Sequence, residues 1–384
     1  MAACPRNVVF LIPSFYPYWV PIFDELYQRL EGRFVVVAMR HHGQENARVA
    51  VQMGRFPRRL VGARAIPLPW SHDQGKKPLF GRFGRFWAPS LPLVLISLRP
   101  QVVISVAFTL WTLTSIAMGY PTVIEWEGFW HTERAATPWR TSLRRWMAKR
   151  AGAFVVNGAL SRQYLVGALR VPNDRILEPG ICAEPRPDWV QTLKTSLPGG
   201  GPVRFLFVGQ MIERKGVAHL LHAAKLLETR WKTKFELVMV GDGPKRERYW
   251  QLAHELGLGD RVHFVKNVLP SQVWEYYETA HVLVLPTLLD HWAMVVPEAM
   301  SVGLPVLVSK YAGSVPELIC HGENGYVFDP EDHEGLAGCM ERYLSNPELI
   351  TQHGLRSLRL ISSYTPERVA QIFLQAVERA RDSR

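Results

Sequence analysis

Two carboxylates, Asp290 and Glu298, stand eight residues apart on either side of what reads as the start of a short helix. An ionised carboxylate accepts hydrogen bonds and donates none, so a spaced pair suits a ligand rich in hydroxyls. The helix start between them favours an anion, because its first amides point outward and its dipole is positive there. Lys215, with Arg214 before it and Gly216 after it, sets a cation at a second loop-to-helix junction. One ligand with a negative group and several hydroxyls would answer to all of these residues, and a sugar nucleotide is such a ligand.

The elements that must hold them are legible. The apolar run 282–285 ends at Pro286 and reads as a buried strand. Residues 294–301 read as a helix in which Pro297 is tolerable only near the first turn, and 305–308 read as the next strand. Strand, loop, helix and strand make a parallel α/β unit, whose loop lies at the carboxyl end of a strand, where open α/β sheets take ligands.

The alternation recurs along the chain. Strands are expected at 7–12, 34–38, 101–106, 122–126, 153–156, 204–208, 235–240 and 262–265. Helices are expected at 20–30, 91–98, 110–118, 161–168, 217–228, 245–256, 270–279 and 314–320. Thr137-Pro138, Asp329-Pro330 and Thr365-Pro366 each set a capping residue before proline and open further helices. The first of these should gather Leu143, Trp146 and Met147 on one side, with Arg140, Arg144 and Lys149 on another. Residues 41–75 show no readable pattern. The Pro- and Gly-rich stretch 184–202 reads as a linker between a first domain, 1–183, and a second, 203–365, with a last helix over 366–384 returning to the first. The expected fold is α/β: two doubly wound Rossmann-like domains facing a cleft.

Bulk properties agree. The 384 residues suit two domains, and 47% hydrophobic against 21% charged residues describe a globular chain. A net charge of +11 calls for an anionic partner. Cys4, Cys182, Cys320 and Cys339 have no paired spacing, so neither a zinc site nor a disulfide framework is expected, and a reducing, cytoplasmic setting is. We expect no signal peptide and no spanning helix.

Six ordered segments carry a family resemblance. They are Phe207-Val-Gly-Gln-Met-Ile-Glu-Arg-Lys215-Gly216, Val240-Gly-Asp-Gly-Pro244, the stretch from Asp290 to Glu298 with Ala-Met after it, Gly303-Leu-Pro-Val-Leu-Val-Ser309, Gly313-Ser-Val-Pro-Glu317 and Gly322-Glu-Asn-Gly325. Together they resemble the donor-binding domain of the retaining glycosyltransferases of family four, which have the GT-B architecture. The first half resembles that family only in outline. The resemblance implies transfer of a sugar from a nucleotide diphosphate sugar to an acceptor hydroxyl, with retention and without metal or other cofactor. It implies donor contacts at Gly209, Gln210, Arg214, Lys215, Gly241, Asp290, Trp292, Ala293, Met294, Glu298, Gly313 and Ser314. It sets Lys215, Asp290, Glu127 and His131 at the reacting centre.

This chain departs from the family pattern at several of these positions. Gln210 stands where the family usually has arginine, Asp290 where it has glutamate, Ala293 where it has glycine, and Glu127 where it has a histidine. Tyr18-Trp19 replaces a glycine pair.

Other readings compete. An epimerase of the same architecture would release a free sugar nucleotide, and a silent sugar-nucleotide-binding protein would bind without turnover. Nucleic acid is disfavoured because the basic residues form no reader motif. A NAD-dependent enzyme is disfavoured because Pro13-Ser-Phe-Tyr, not a glycine fingerprint, follows the first strand. The basic, aromatic stretch 76–87 and the helix 140–150 suggest a face for an anionic membrane on its cytoplasmic side, which would suit a lipid-linked or glycan acceptor.

Overall fold

A computed structural model of the chain describes residues 7–13, 16–39, 54–62, 64–65, 86–182, 201–231, 234–266 and 268–383. The basic stretch 76–85 and most of the expected linker lie outside the described residues. The chain divides into two compact units, one of residues 1–182 with 364–384 and one of residues 183–363.

In the first unit, β1 (Val8–Ile12) leads through α1 (Val20–Arg29) to β2 (Phe34–Met39) and β3 (Arg58–Val61). A short antiparallel pair, β4 (Arg64–Ala65) and β5 (Phe86–Trp87), precedes α2 (Leu91–Leu98). Then come β6 (Val102–Val106), α3 (Leu110–Ala117), β7 (Thr122–Trp126), α4 (Pro138–Arg150), β8 (Ala153–Val156), α5 (Ala159–Leu169) and β9 (Ile176–Leu177). The parallel sheet runs β3-β2-β1-β6-β7-β8-β9, so the strand order reverses between β1 and β6. The strands read as apolar runs because both faces are covered. One face carries Phe10, Ile104, Val123 and Val155, packed on Phe23 of α1 and on Phe373 of the last helix, α13 (Pro366–Asp382). Thr365 Oγ1 caps that helix by accepting from the Arg368 amide at 3.3 Å.

α4 differs from the expectation. Thr137 makes no side-chain cap, and Arg144 turns inward while Leu143 and Trp146 turn outward. Burial of Arg144 is tolerable because its charge is met. It donates to Glu133 at 2.5 Å, and its guanidinium lies 4.8 Å from the ring of Trp126.

The second unit comprises β10 (Val203–Val208), α6 (Val217–Trp231), β11 (Phe235–Val240), α7 (Arg246–Glu255), β12 (Val262–Val265), α8 (Pro270–Thr279), β13 (Val282–Leu285), α9 (Val295–Ser301), β14 (Val306–Ser309), α10 (Val315–Leu318), β15 (Gly325–Phe328), α11 (His333–Ser345) and α12 (Glu348–Ile361). Its parallel sheet runs β12-β11-β10-β13-β14-β15 and reverses between β10 and β13. α11 starts later than Asp329-Pro330 suggests. Asp332 is its cap, accepting from the Gly335 amide at 2.9 Å, while Asp329 pairs with Lys310 at 2.5 Å. Both sheets are the expected doubly wound α/β arrangement. No helix among the described residues is long and apolar enough to cross a membrane.

Candidate functional site

The loops after β10 and β13 leave neighbouring strands at the switch point of the second sheet, where ligand crevices form in open α/β folds. The first runs from Gly209 through a 3-10 turn, Glu213–Lys215, to Gly216. Gly216 has φ +69°, and a Cβ there would lie 1.9 Å from the Pro286 carbonyl oxygen. Only glycine lets the two loops approach this closely. They are then tied together. The Leu288 amide donates to the Arg214 carbonyl at 2.7 Å, the Thr287 hydroxyl donates to that same carbonyl at 3.0 Å, and Arg214 Nη1 donates to the Leu289 carbonyl at 3.0 Å.

This closeness brings Lys215 to Asp290. The Lys215 ammonium donates to Asp290 Oδ2, both side chains being only 12% exposed, and Arg214 Nη1 stands 3.7 Å from the same oxygen. Asp290 Oδ1 accepts from the Ala293 amide at 3.1 Å. Burial raises the Asp290 carboxyl, but Lys215 and then Arg214 outweigh it and hold the group below the ordinary aspartate range. An ammonium has three donors and Asp290 accepts one, so the cation is oriented with donors to spare for an anion.

Several other predicted contacts support these loops. Gly241, at φ +140°, lies under the first loop, where a Cβ would come within 2.0 Å of the Gly209 carbonyl oxygen. The Gly313 amide is directed to the Asp290 carbonyl at 3.1 Å. α9 and α10 are helices of seven and four residues, and the Ala293 and Gly313 amides that were expected to face an anion bind Asp290. Ser314 is fully buried, and its Oγ meets no hydrogen-bonding partner among the described residues. Trp292 and Ala293 are buried, Met294 is half-buried and Gln210 is exposed. Ala293 sits at φ +66°, a conformation that favours glycine.

Glu298 is held by a residue the sequence did not single out. The hydroxyl of Tyr277, on α8 and buried, donates to Glu298 Oε2 at 2.5 Å. A tyrosine on an amphipathic helix looks like any core aromatic, so only the fold reveals the contact.

Glu127 and His131 belong to the first unit. Both are half-buried. The Glu127 carbonyl accepts from Ser161 Oγ at 3.0 Å, and the His131 ring stacks near Phe129 with centroids 6.5 Å apart. Sequence reasoning missed Glu125, two residues earlier and fully buried, because it sits in a run that reads as plain strand. Burial and then the neighbouring Glu127 carboxylate push the Glu125 carboxyl well above its ordinary range. Burial, followed by Glu127 and Glu125, likewise raises the Tyr18 phenol. Among the described residues no group of three or more His, Cys, Asp or Glu could hold a metal ion.

Comparison with known proteins places this geometry. Residues 193–356 match the family described as glycosyl transferases group 1. An uncharacterized glycosyltransferase of Haemophilus influenzae is 29% identical over 166 residues, covering 43% of this chain and 46% of that protein. A D-inositol 3-phosphate glycosyltransferase of Acidothermus cellulolyticus is 29% identical over 218 residues, 54% of this chain and 47% of that protein. The chain thus spans a third to a half of the length of the curated relatives it matches. Among solved structures, a glycosyltransferase from Rickettsia africae superposes with a TM-score of 0.72 at 14% identity, covering 98% of both chains. Anabaena HepE, solved in complex with UDP and glucose, gives 0.72 at 15% identity, covering 97% of this chain and 99% of that one. At such identities the likeness is one of fold, the two-domain GT-B arrangement. The match to the group 1 glycosyl transferases is thus confined to residues 193–356, the part of the chain that holds the Lys215–Asp290 pair.

Proposed function

We propose that the protein is a retaining, metal-independent glycosyltransferase that moves a sugar from a nucleotide diphosphate sugar to an acceptor hydroxyl. The observation that carries the reading is the buried Lys215 ammonium, oriented by Asp290 at the switch point of the second sheet. As the glycosidic bond breaks, charge gathers on the departing diphosphate, and fixed cations stabilise it without having to reorganise. Lys215, with Arg214 beside it, fills that part and leaves no need for a divalent ion. Glu298, oriented by Tyr277, accepts from ribose hydroxyls, and Asp290 from the sugar. The first unit takes the acceptor, with Glu127 and His131 as its polar groups.

The work of this enzyme lies in cell-surface glycan or glycolipid synthesis on the cytoplasmic face of a membrane. The outward face of α4 supports this: Trp139 and Trp146 are 54% and 39% exposed, and the Arg150 guanidinium lies 4.1 Å from the Trp146 ring. Interfacial tryptophans flanked by cations suit anionic headgroups. A lipopolysaccharide core biosynthesis glycosyltransferase of Rhizobium meliloti, 27% identical over 175 residues, points the same way.

The test is a panel of UDP-, GDP- and TDP-sugars in the presence of EDTA, with binding followed calorimetrically and slow hydrolysis by NMR, which also reads the anomer released. Binding of one donor and release with retained configuration are expected; a chain that binds none of them is not such an enzyme. Co-sedimentation with phosphatidylglycerol vesicles at low salt tests the membrane face, and a protein that stays in the supernatant rules it out.

A further inference from the structure

The carboxyl end of β7 holds a group that the proposed reaction does not use. Glu125 is fully buried, and among the described residues neither of its carboxyl oxygens has a hydrogen-bonding partner. In register with it are Val106 on β6 and Val155 on β8, so the three side chains share one face of the parallel sheet. That face is the apolar stripe of Val123, Ile104, Phe10 and Phe373, against which Tyr18 also packs. A carboxylic acid therefore ends a row of aliphatic side chains. Among the described residues, the titratable groups interacting with it are Glu127, just beyond β7, and Tyr18, from the turn before α1, with Tyr16 stacked on Tyr18.

We propose that Glu125 is a neutral, proton-bearing acid and a positioning residue for Glu127, the half-buried acid two residues further along the chain. An isolated carboxylate in an apolar stripe costs far more than a carboxylic acid there. Glu125 lies inside β7 and Glu127 just beyond its end, so environment separates them: the fully buried acid keeps its proton, while the other is half-buried. The Tyr18 phenol, held in its protonated form, completes a site with one carboxyl acceptor and one hydroxyl donor. Its ligand class is a hydroxyl compound, recognised by donating to Glu127 and accepting from Tyr18. That last step rests on the proposed transferase reading, whereas the protonation of Glu125 does not.

The experiment is infrared spectroscopy of the full chain at neutral pH, comparing the parent with Glu125→Gln and Glu127→Gln. The parent and Glu127→Gln should show a protonated-carboxyl band that Glu125→Gln lacks. Absence of the band in the parent, or its loss in Glu127→Gln, overturns the proposal. Urea unfolding gives a second reading that needs no substrate. A carboxyl whose folded value lies above its unfolded value loses stability as pH rises between the two, so Glu125→Gln should gain on the parent from pH 4.5 to 7; a loss over that window counts against the proposal. With the donor selected by the panel, the acid limb of the transfer profile should hold its position in Glu125→Gln, whatever its height. A limb displaced to lower pH would mean that Glu125 is charged in the parent. If no donor is turned over, the infrared and unfolding arms still decide the point.

Discussion

Replacing Lys215 by alanine and Asp290 by asparagine, singly and together, tests whether the two side chains form one unit. Breaking a buried ion pair from one side costs roughly 3–5 kcal/mol, because the other charge is left behind. Arg214 moderates this for the lysine. At 3.7 Å from Asp290 Oδ2 it supplies a gross attraction of about 4.5 kcal/mol at an effective dielectric of about 20. Lys215→Ala should therefore cost near the low end, about 3 kcal/mol. Asp290→Asn leaves two cations facing a neutral amide and should cost about 4 kcal/mol. The double variant removes both charges of the pair and should fall about 2 kcal/mol short of the sum.

Urea unfolding followed by tryptophan fluorescence measures all four proteins, and pH supplies the internal control. The Asp290 carboxyl is held low in the parent, so its contribution is present above the unfolded aspartate value of about 4 and is lost as pH falls through the folded value. Without Lys215, burial is opposed mainly by Arg214 and, after it, His291, and the carboxyl rises. The deficit of Lys215→Ala should then be greatest at neutral pH and shrink as pH approaches about 4. Nucleotide diphosphate binding by the same variant should weaken about 10- to 100-fold, the value of one charge-assisted hydrogen bond. Additive single costs, within about 0.5 kcal/mol, together with a deficit that ignores pH, would refute the pairing as the organising contact.

Three further outcomes are expected. Ala293→Gly should stabilise the protein by about 0.5–1 kcal/mol, since relief of the left-handed strain at φ +66° exceeds the entropy glycine adds; a chemical denaturation midpoint reads it. Tyr277→Phe should cost about 1.5–3 kcal/mol of orientation at Glu298, seen as a raised KM for the donor with kcat little changed. Arg144→Ala should cost about 3–5 kcal/mol because Glu133 is left buried and unpaired, whereas Arg144→Met with Glu133→Leu should stay within about 1 kcal/mol of the parent, and thermal unfolding separates the two.

The parallel sheets were readable because strands covered on both faces are short apolar runs, and 122–126, 235–240, 262–265 and 282–285 begin and end in the structure where the residue pattern does. The contents of the two units at their strand ends were unequally visible. In the second unit, charge beside glycine at Arg214-Lys215-Gly216 announces a loop suited to an anion. In the first, Glu125 is one acid in Thr122-Val-Ile-Glu-Trp126, and alternation gives no hint of whether an acid on a strand faces water or core when both faces are buried. Arg144 was misplaced for the same reason: periodicity assigns charge to the outside, and only Glu133, Trp126 and Phe108 arriving from elsewhere in the fold make the inside tolerable.

The shortened acid at 290 is where the two kinds of information meet. Aspartate reaches one methylene less far than glutamate, and read alone the change looks like a weakened site. In this chain the backbone brings the short acid within reach of the cation. Gly216 has no Cβ, so the end of β13 approaches it at Pro286, and the Thr287 hydroxyl and Leu288 amide then fasten the Arg214 carbonyl. Lys215 and the Asp290 carboxylate thereby meet. A Cβ at position 216 would separate the two loops before it touched any ligand, so the contact of Lys215 with the short acid at 290 depends on glycine there.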